Sequence, residues 1–214
     1  MTRKKAFKIS LALVVAFGGA ALLPPSALAY CLNGLRWFPG SLASENVYYN
    51  SSGKVTSGQC ISSPAMDAQV TNAIGVWDVL KYNGTTTKKA NAKDDQNTVG
   101  WANLGGTTLG ITNYLKKDRF LTKFDTCGGG PWAELYEADV RLSKTFRWTD
   151  GVVACPCAAG SAYSLGSVSE HEFGHVIGLC HENDFDTLMN SSIGACLNDR
   201  KGSDESAGEN ALCY

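Results

Sequence analysis

Apolar positions recur along the chain in different rhythms, and each predicts a different element. Met66, Val70, Ala73, Ile74, Trp77 and Leu80 return every three or four residues, the spacing of a helix face. They predict a helix over residues 64–82, with Pro64 in its first turn and Gly84 past its end. Residues 135–142 alternate instead, with Val140 and Leu142 on one side and Asp139 and Arg141 on the other, as a half-buried strand requires. Shorter strand-like pieces fall at 47–49, 99–102 and 108–115, and a Gly-Gly-Gly-Pro turn at 128–131 precedes the alternating segment. Residues 85–97 read as a polar loop. A second helix is expected over about 164–179 and a third over about 203–212, where Ser203 suits the N-cap and Asp204 and Glu205 suit the helix dipole. Short strands with short turns beside helices predict an α+β domain, a small twisted sheet packed on the first helix.

Residues 9–23 follow neither rhythm. They form an apolar stretch of 15 residues, too short for a stable membrane anchor. Arg3, Lys4, Lys5 and Lys8 precede it, and Pro24 and Pro25 break it before Ala27-Leu28-Ala29, a small-x-small pattern. These features predict a signal peptide over 1–29, cleaved before Tyr30, and a single domain over 30–214 that is secreted without a membrane anchor. Tyr30, bulky and just before Cys31, argues against a lipoprotein.

The 214 residues are 44% hydrophobic and 18% charged, which excludes disorder, and their net charge of −1 excludes a basic nucleic-acid binder. Loss of the leader removes four cations and no acid, leaving 15 Lys and Arg against 20 Asp and Glu. All eight cysteines follow the cleavage point, an even number that reads as up to four disulfides of open connectivity. No C-x-x-C pair occurs, which argues against a zinc knuckle.

The chain has only three histidines, and all fall within eleven residues of the second helix and its end. His171 and His175 are four apart, so their imidazoles lie one turn apart on one face. That arrangement lets two nitrogens share one Zn²⁺. Glu172 sits about 100° around the helix, beside the metal. Gly178 can take a positive φ and end the helix, so that His181 reaches the same ion from another direction. Three neutral imidazoles leave a fourth tetrahedral position open, which distinguishes a catalytic zinc site from a closed structural one.

The pattern H-E-x-x-H-x-x-G-x-x-H, followed eight residues later by Met189, resembles the metzincin zinc endopeptidases and their Met-turn. Ala138-Asp139-Val140 followed by Trp148 is similar to the matrixin strand that runs antiparallel to bound substrate, and 203–212 is similar to the C-terminal helix of bacterial matrixin-like domains. The resemblance implies a two-part domain: a twisted, mostly parallel sheet with an antiparallel edge strand and an active-site helix above, and the Met-turn and C-terminal helix after His181 below. It implies Met189 as a packing floor beneath the zinc ligands, and Asp139, Val140, Arg141 and Leu142 as the residues that align substrate. It implies hydrolysis of internal peptide bonds in protein or peptide substrates, with Glu172 as general base and with no partner chain required, the domain acting as a monomer. The competing reading is a catalytically inactive metzincin-like binding module, against which Glu172 speaks.

Some positions depart from the family. Glu182 follows the third histidine as in astacins, yet Ser191 stands where astacins carry a tyrosine. With every histidine in the motif, the second, His-rich zinc of animal matrix metalloproteinases has no ligands here. Calcium is a lesser expectation at the acidic loop of Glu182, Asp184 and Asp186, whose alternative reading is a solvated loop. Cys180 reads as a disulfide partner that holds the turn before His181, not as a fourth ligand.

Overall fold

In the computed structural model, residues 32, 34–37, 45–121, 132–151, 162–183, 187–195 and 197–212 are described. The leader, the turn at 128–131, Asp184, Asp186 and all cysteines except Cys60 and Cys180 lie outside them. Among the described residues the elements are β1 (Leu35–Trp37), β2 (Glu45–Tyr49), α1 (Ser63–Ile74), β3 (Leu80–Thr85), β4 (Asn97–Ala102) and β5 (Gly110–Leu121), followed by β6 (Trp132–Ser143), β7 (Arg147–Thr149), β8 (Ala162–Ser164), α2 (Leu165–Ile177) and α3 (Ser203–Ala211).

β6, the alternating segment, organises the sheet. β5 runs antiparallel along it, from Gly110 opposite Leu142 to Leu121 opposite Trp132. On its other side β4 pairs parallel with its second half and β1 with its first. β2 and then β3 extend the sheet in parallel from β4. The result is the expected mostly parallel sheet, ordered β3-β2-β4-β6-β5, with an antiparallel strand at its edge. A separate parallel pair, β7 with β8, leads into α2.

α1 opens as the sequence predicts. Ser62 caps it by accepting the Ala65 N–H, Pro64 occupies its first turn, and Met66, Val70, Ala73 and Ile74 are buried. It stops at Gly75 rather than continuing to residue 82. Trp77 and Leu80 keep the helical spacing but are buried for another reason: the Leu80 N–H closes a turn on the Trp77 carbonyl, and Leu80 begins β3. Spacing alone cannot separate three apolar residues on a helix from three placed by a helix, a turn and a strand. α3 corrects a smaller expectation, because Gly202 and not Ser203 is its N-cap. Glu205 reaches back to accept the Gly202 N–H at 2.8 Å and so closes that end.

The core lies between the sheet and the packed pair α1 and α2, and it runs without interruption to Leu188, Met189 and Leu212. Trp37, Trp77 and Trp148 are buried with their indole N–H groups donating to the carbonyls of Val176, Glu170 and Ser143. Buried tryptophans thus contribute area without leaving a donor unsatisfied. No described helix is long and apolar enough to cross a membrane.

α2 starts at a Ser164 cap and ends at Gly178, whose φ of 114° lies in the left-handed region. There the Gly178 N–H still reaches the Gly174 and His175 carbonyls while the chain swings away from the helix axis. Gly178→Ala should cost about 1–2 kcal/mol, the strain of a side chain in that conformation, read as a lower midpoint in urea denaturation.

Candidate metal centre and active site

Eleven of the thirteen residues of α2 are buried, and the exceptions are His171 and His175. The helix is therefore fixed by its surroundings, and its two histidines face the one accessible direction. Past the Gly178 turn, Leu179 forms a single antiparallel bridge with Leu32, and His181 follows, exposed. The His181 Nε2 lies 3.2 Å from the His171 Nε2 and 3.0 Å from the His175 Nε2.

The outer nitrogens decide what the inner ones present. His171 Nδ1 lies 2.7 Å from the Leu188 carbonyl and His175 Nδ1 2.8 Å from the Leu179 carbonyl. A carbonyl only accepts, so each Nδ1 carries the proton and each Nε2 presents a lone pair. Burial pushes His171 down to about 3, helped by the repulsion a second protonated ring at His175 would bring, and pushes His175 down to about 4. His181 is also lowered by burial. The imidazoles are thus neutral donors at neutral pH. An ion about 2.05 Å from tetrahedral nitrogen ligands sets them about 3.3 Å apart, so the observed spacing fits one divalent cation. The three could hold a metal ion, and they are the one such cluster among the described residues.

Glu172 is buried beside them. Its carboxyl is pushed up to about 7 by burial, opposed by a hydrogen bond from Thr112, whose Oγ1 lies 2.7 Å from Oε2. Two cavities of about 380 and 440 Å³ flank the histidines, and Gly110, Glu172 and His181 border both.

Met189, which follows the residue whose carbonyl meets His171, is wholly buried. A methyl added at Gly174 would collide with its sulfur and come within 3.1 Å of Trp77. The turn that carries Met189 is fixed twice. The Glu182 N–H donates to the Met189 carbonyl at 2.9 Å, and the Leu188 N–H donates to Glu205 Oε1 at 2.7 Å. Glu205 therefore holds the residue whose carbonyl orients His171. From the sequence Glu205 reads only as a partner of the helix dipole, because nothing there relates residue 205 to 188. Thr112 and Gly110 are equally silent there, 60 and 62 residues from Glu172.

One expected set lies elsewhere. Asp139, Val140, Arg141 and Leu142 sit on β6, which is paired on both sides there, by β4 and by β5. Val140 and Leu142 are core residues, Arg141 donates to Asn113, and Asp139 accepts the backbone N–H groups of Thr98 and Asn91. Burial, against those two hydrogen bonds, pushes Asp139 up to about 7. A doubly paired strand has no free backbone groups to align a peptide, so that assignment is corrected. Among the described residues the sheet has edges at β3, which pairs only with β2, and at β5, which pairs only with β6, and β5 is the one that lines the cavities beside the histidines. Of the acidic loop, Glu182 is buried, not solvated.

A buried helix that presents two histidines and an acid, a third histidine delivered by a glycine turn, and a buried methionine packed on that helix define a metal-dependent hydrolase of the metzincin class. The family model described as Matrixin (Peptidase_M10) matches residues 45–205, which include all three histidines, Glu172 and Met189. The chain belongs to the matrixin family, and with it to the zinc metallopeptidases acting on proteins or peptides. A search of curated proteins gives no match.

The close contact at Gly174 yields a direct check. Gly174→Ala should destabilise the protein by about 1–3 kcal/mol, as overpacking does, and should weaken zinc binding because Met189 and the helix that carries His171 and His175 must shift apart. Thermal unfolding and competition with a chromogenic chelator measure the two effects.

Proposed function

We propose that the chain is a secreted zinc endopeptidase that hydrolyses internal peptide bonds, with His171, His175 and His181 as the zinc ligands and Glu172 as general base. The observation that carries this reading is the convergence of three Nε2 atoms, two of them held as lone-pair donors, beside a buried carboxylate. Zinc at such a site supplies a Lewis acid that polarises a carbonyl and makes water nucleophilic near neutral pH.

The protein's own residues do the rest. Glu172 takes a proton from the attacking water and delivers it to the departing amine. Its raised affinity for protons suits an acid that must both accept and release one, and a cation nearby draws that affinity back down. The free edge of β5 pairs with the main chain of an extended substrate, which becomes an added strand. The cavities on either side of the histidines take the side chains flanking the scissile bond. The reading includes a leader over 1–29 removed on export, a single catalytic domain over 30–214 acting as a monomer, and a disulfide framework. In support of the last, neither Cys60 nor Cys180 is a free thiol.

Glu172→Gln should keep its zinc and its circular dichroism while losing about 10²- to 10⁴-fold in turnover of casein. Wild-type activity in that variant would remove Glu172 from the chemistry. A chelator should abolish cleavage and zinc restore it, and mass spectrometry of the products should find internal cuts. Release of terminal residues alone would contradict the endopeptidase assignment.

A further inference from the structure

We propose that Thr112, together with Gly110, is the positioning element for Glu172, so that the edge strand of the sheet holds the general base; the proposal rests on the endopeptidase reading above. Gly110 and Thr112 are two apart on β5 and so face the same side of the sheet, towards α2. Both meet the same side chain. A methyl added at Gly110 would lie 2.6 Å from Glu172 Oε1, 2.7 Å from its Cγ and 2.9 Å from its Cδ, so the carboxylate lies against bare backbone. Thr112 Oγ1 is 2.7 Å from Oε2 and 3.0 Å from the Glu172 carbonyl oxygen. A hydroxyl has one proton, and the charge-assisted bond to the carboxylate is the stronger use of it.

That bond is the only one the Glu172 carboxylate accepts among the described residues. The side chain is 5% exposed. A buried carboxylate with one donor has its rotation set by that donor. With Oε2 engaged by Thr112, Oε1 is the oxygen left for the proton transfer. The placement also joins two functions in one strand. The side of β5 that carries its free edge aligns the substrate backbone, and residues 110 and 112 of the same strand fix the base. Substrate and base are then referred to a single rigid segment, anchored to β6 through the Thr112–Val140 pair.

The test compares Thr112→Val, which keeps the shape and removes the hydroxyl, with Thr112→Ser, which keeps the hydroxyl, in the zinc-loaded mature protein. Thr112→Val should lower kcat about 10- to 100-fold, the worth of one hydrogen bond to a charged group, with KM within about twofold and zinc content unchanged. Thr112→Ser should recover most of the loss. In zinc-free protein, the infrared carboxylate band assigned by its loss in Glu172→Gln should shift in Thr112→Val and not in Thr112→Ser. Wild-type kcat in Thr112→Val, an unmoved band, or a serine variant as impaired as the valine one would overturn the proposal. Should Thr112→Val fold poorly, Thr112→Ala replaces it, and equal kcat in the alanine and serine variants overturns it equally. The two readings fail separately. A fully active Glu172→Gln sinks the role of Glu172 whatever the band does, whereas an inactive Glu172→Gln beside an unaffected Thr112→Val sinks the positioning role alone.

Discussion

The candidate metal centre depends on two backbone carbonyls, those of Leu179 and Leu188, each of which accepts the Nδ1 proton of a histidine. Without them the imidazoles could present either nitrogen to one another, and three neutral rings at this spacing would form ordinary N–H···N bonds. With them, two of the three Nε2 atoms can only offer lone pairs, and a cation is what three converging donors want. The carbonyls are themselves placed from opposite directions. Gly178 turns the chain so that Leu179 comes back over His175, while Leu188 is held by Glu205 from a helix begun after residue 202. The zinc-peptidase chemistry of this family is thus tied here to a helix terminus on one side and a staple from α3 on the other.

How much of this was legible in the sequence follows from distance along the chain. The H-E-x-x-H spacing lies within one helix, so 3.6-residue geometry is enough to bring His171 and His175 together. Gly178 is equally local, and its positive φ follows from its place at a helix end. The same holds for the alternation of 135–142, which identified β6 as a strand. What alternation cannot convey is which neighbours a strand has. Asp139 looks like an outward-facing polar residue, yet it is buried because the N–H groups of Thr98 in β4 and of Asn91 in the loop before it come to it. The free edge consequently fell to β5, a segment whose sequence signalled a strand and nothing more.

Buried acids carry much of the non-local wiring. Glu137 and Asp139 accept backbone N–H groups from the loop that enters β4, and Asp139 accepts a further one from Thr98 of β4 itself. Glu170 accepts from Arg200 and from the Lys201 N–H, and so ties α2 to the segment before α3. Glu205 accepts from both Leu188 and Gly202. Each satisfies main-chain donors that the sheet and helices leave over, which is why a chain of low charge content can bury so many carboxylates. By composition these residues resemble surface acids, and only the fold separates them from Glu172, the one that borders the cavities beside the histidines.

Hydrogen bonds orient the site, but close packing sets its dimensions, and it does so through two glycines. Gly174 lets Met189 rise against α2 one residue before His175, and Gly110 lets the Glu172 carboxylate settle on the edge strand. In both places the separation between elements is fixed by a missing Cβ, so the sulfur and the carboxylate stand closer to backbone than any side chain would allow. A hydrogen bond tolerates a few tenths of an ångström of drift. A hard-sphere contact does not. Three imidazoles and an acid must hold to within about half an ångström to act on one carbonyl, and the stiffness comes from these contacts. The polar groups then decide which atoms face inward once the distances have been set.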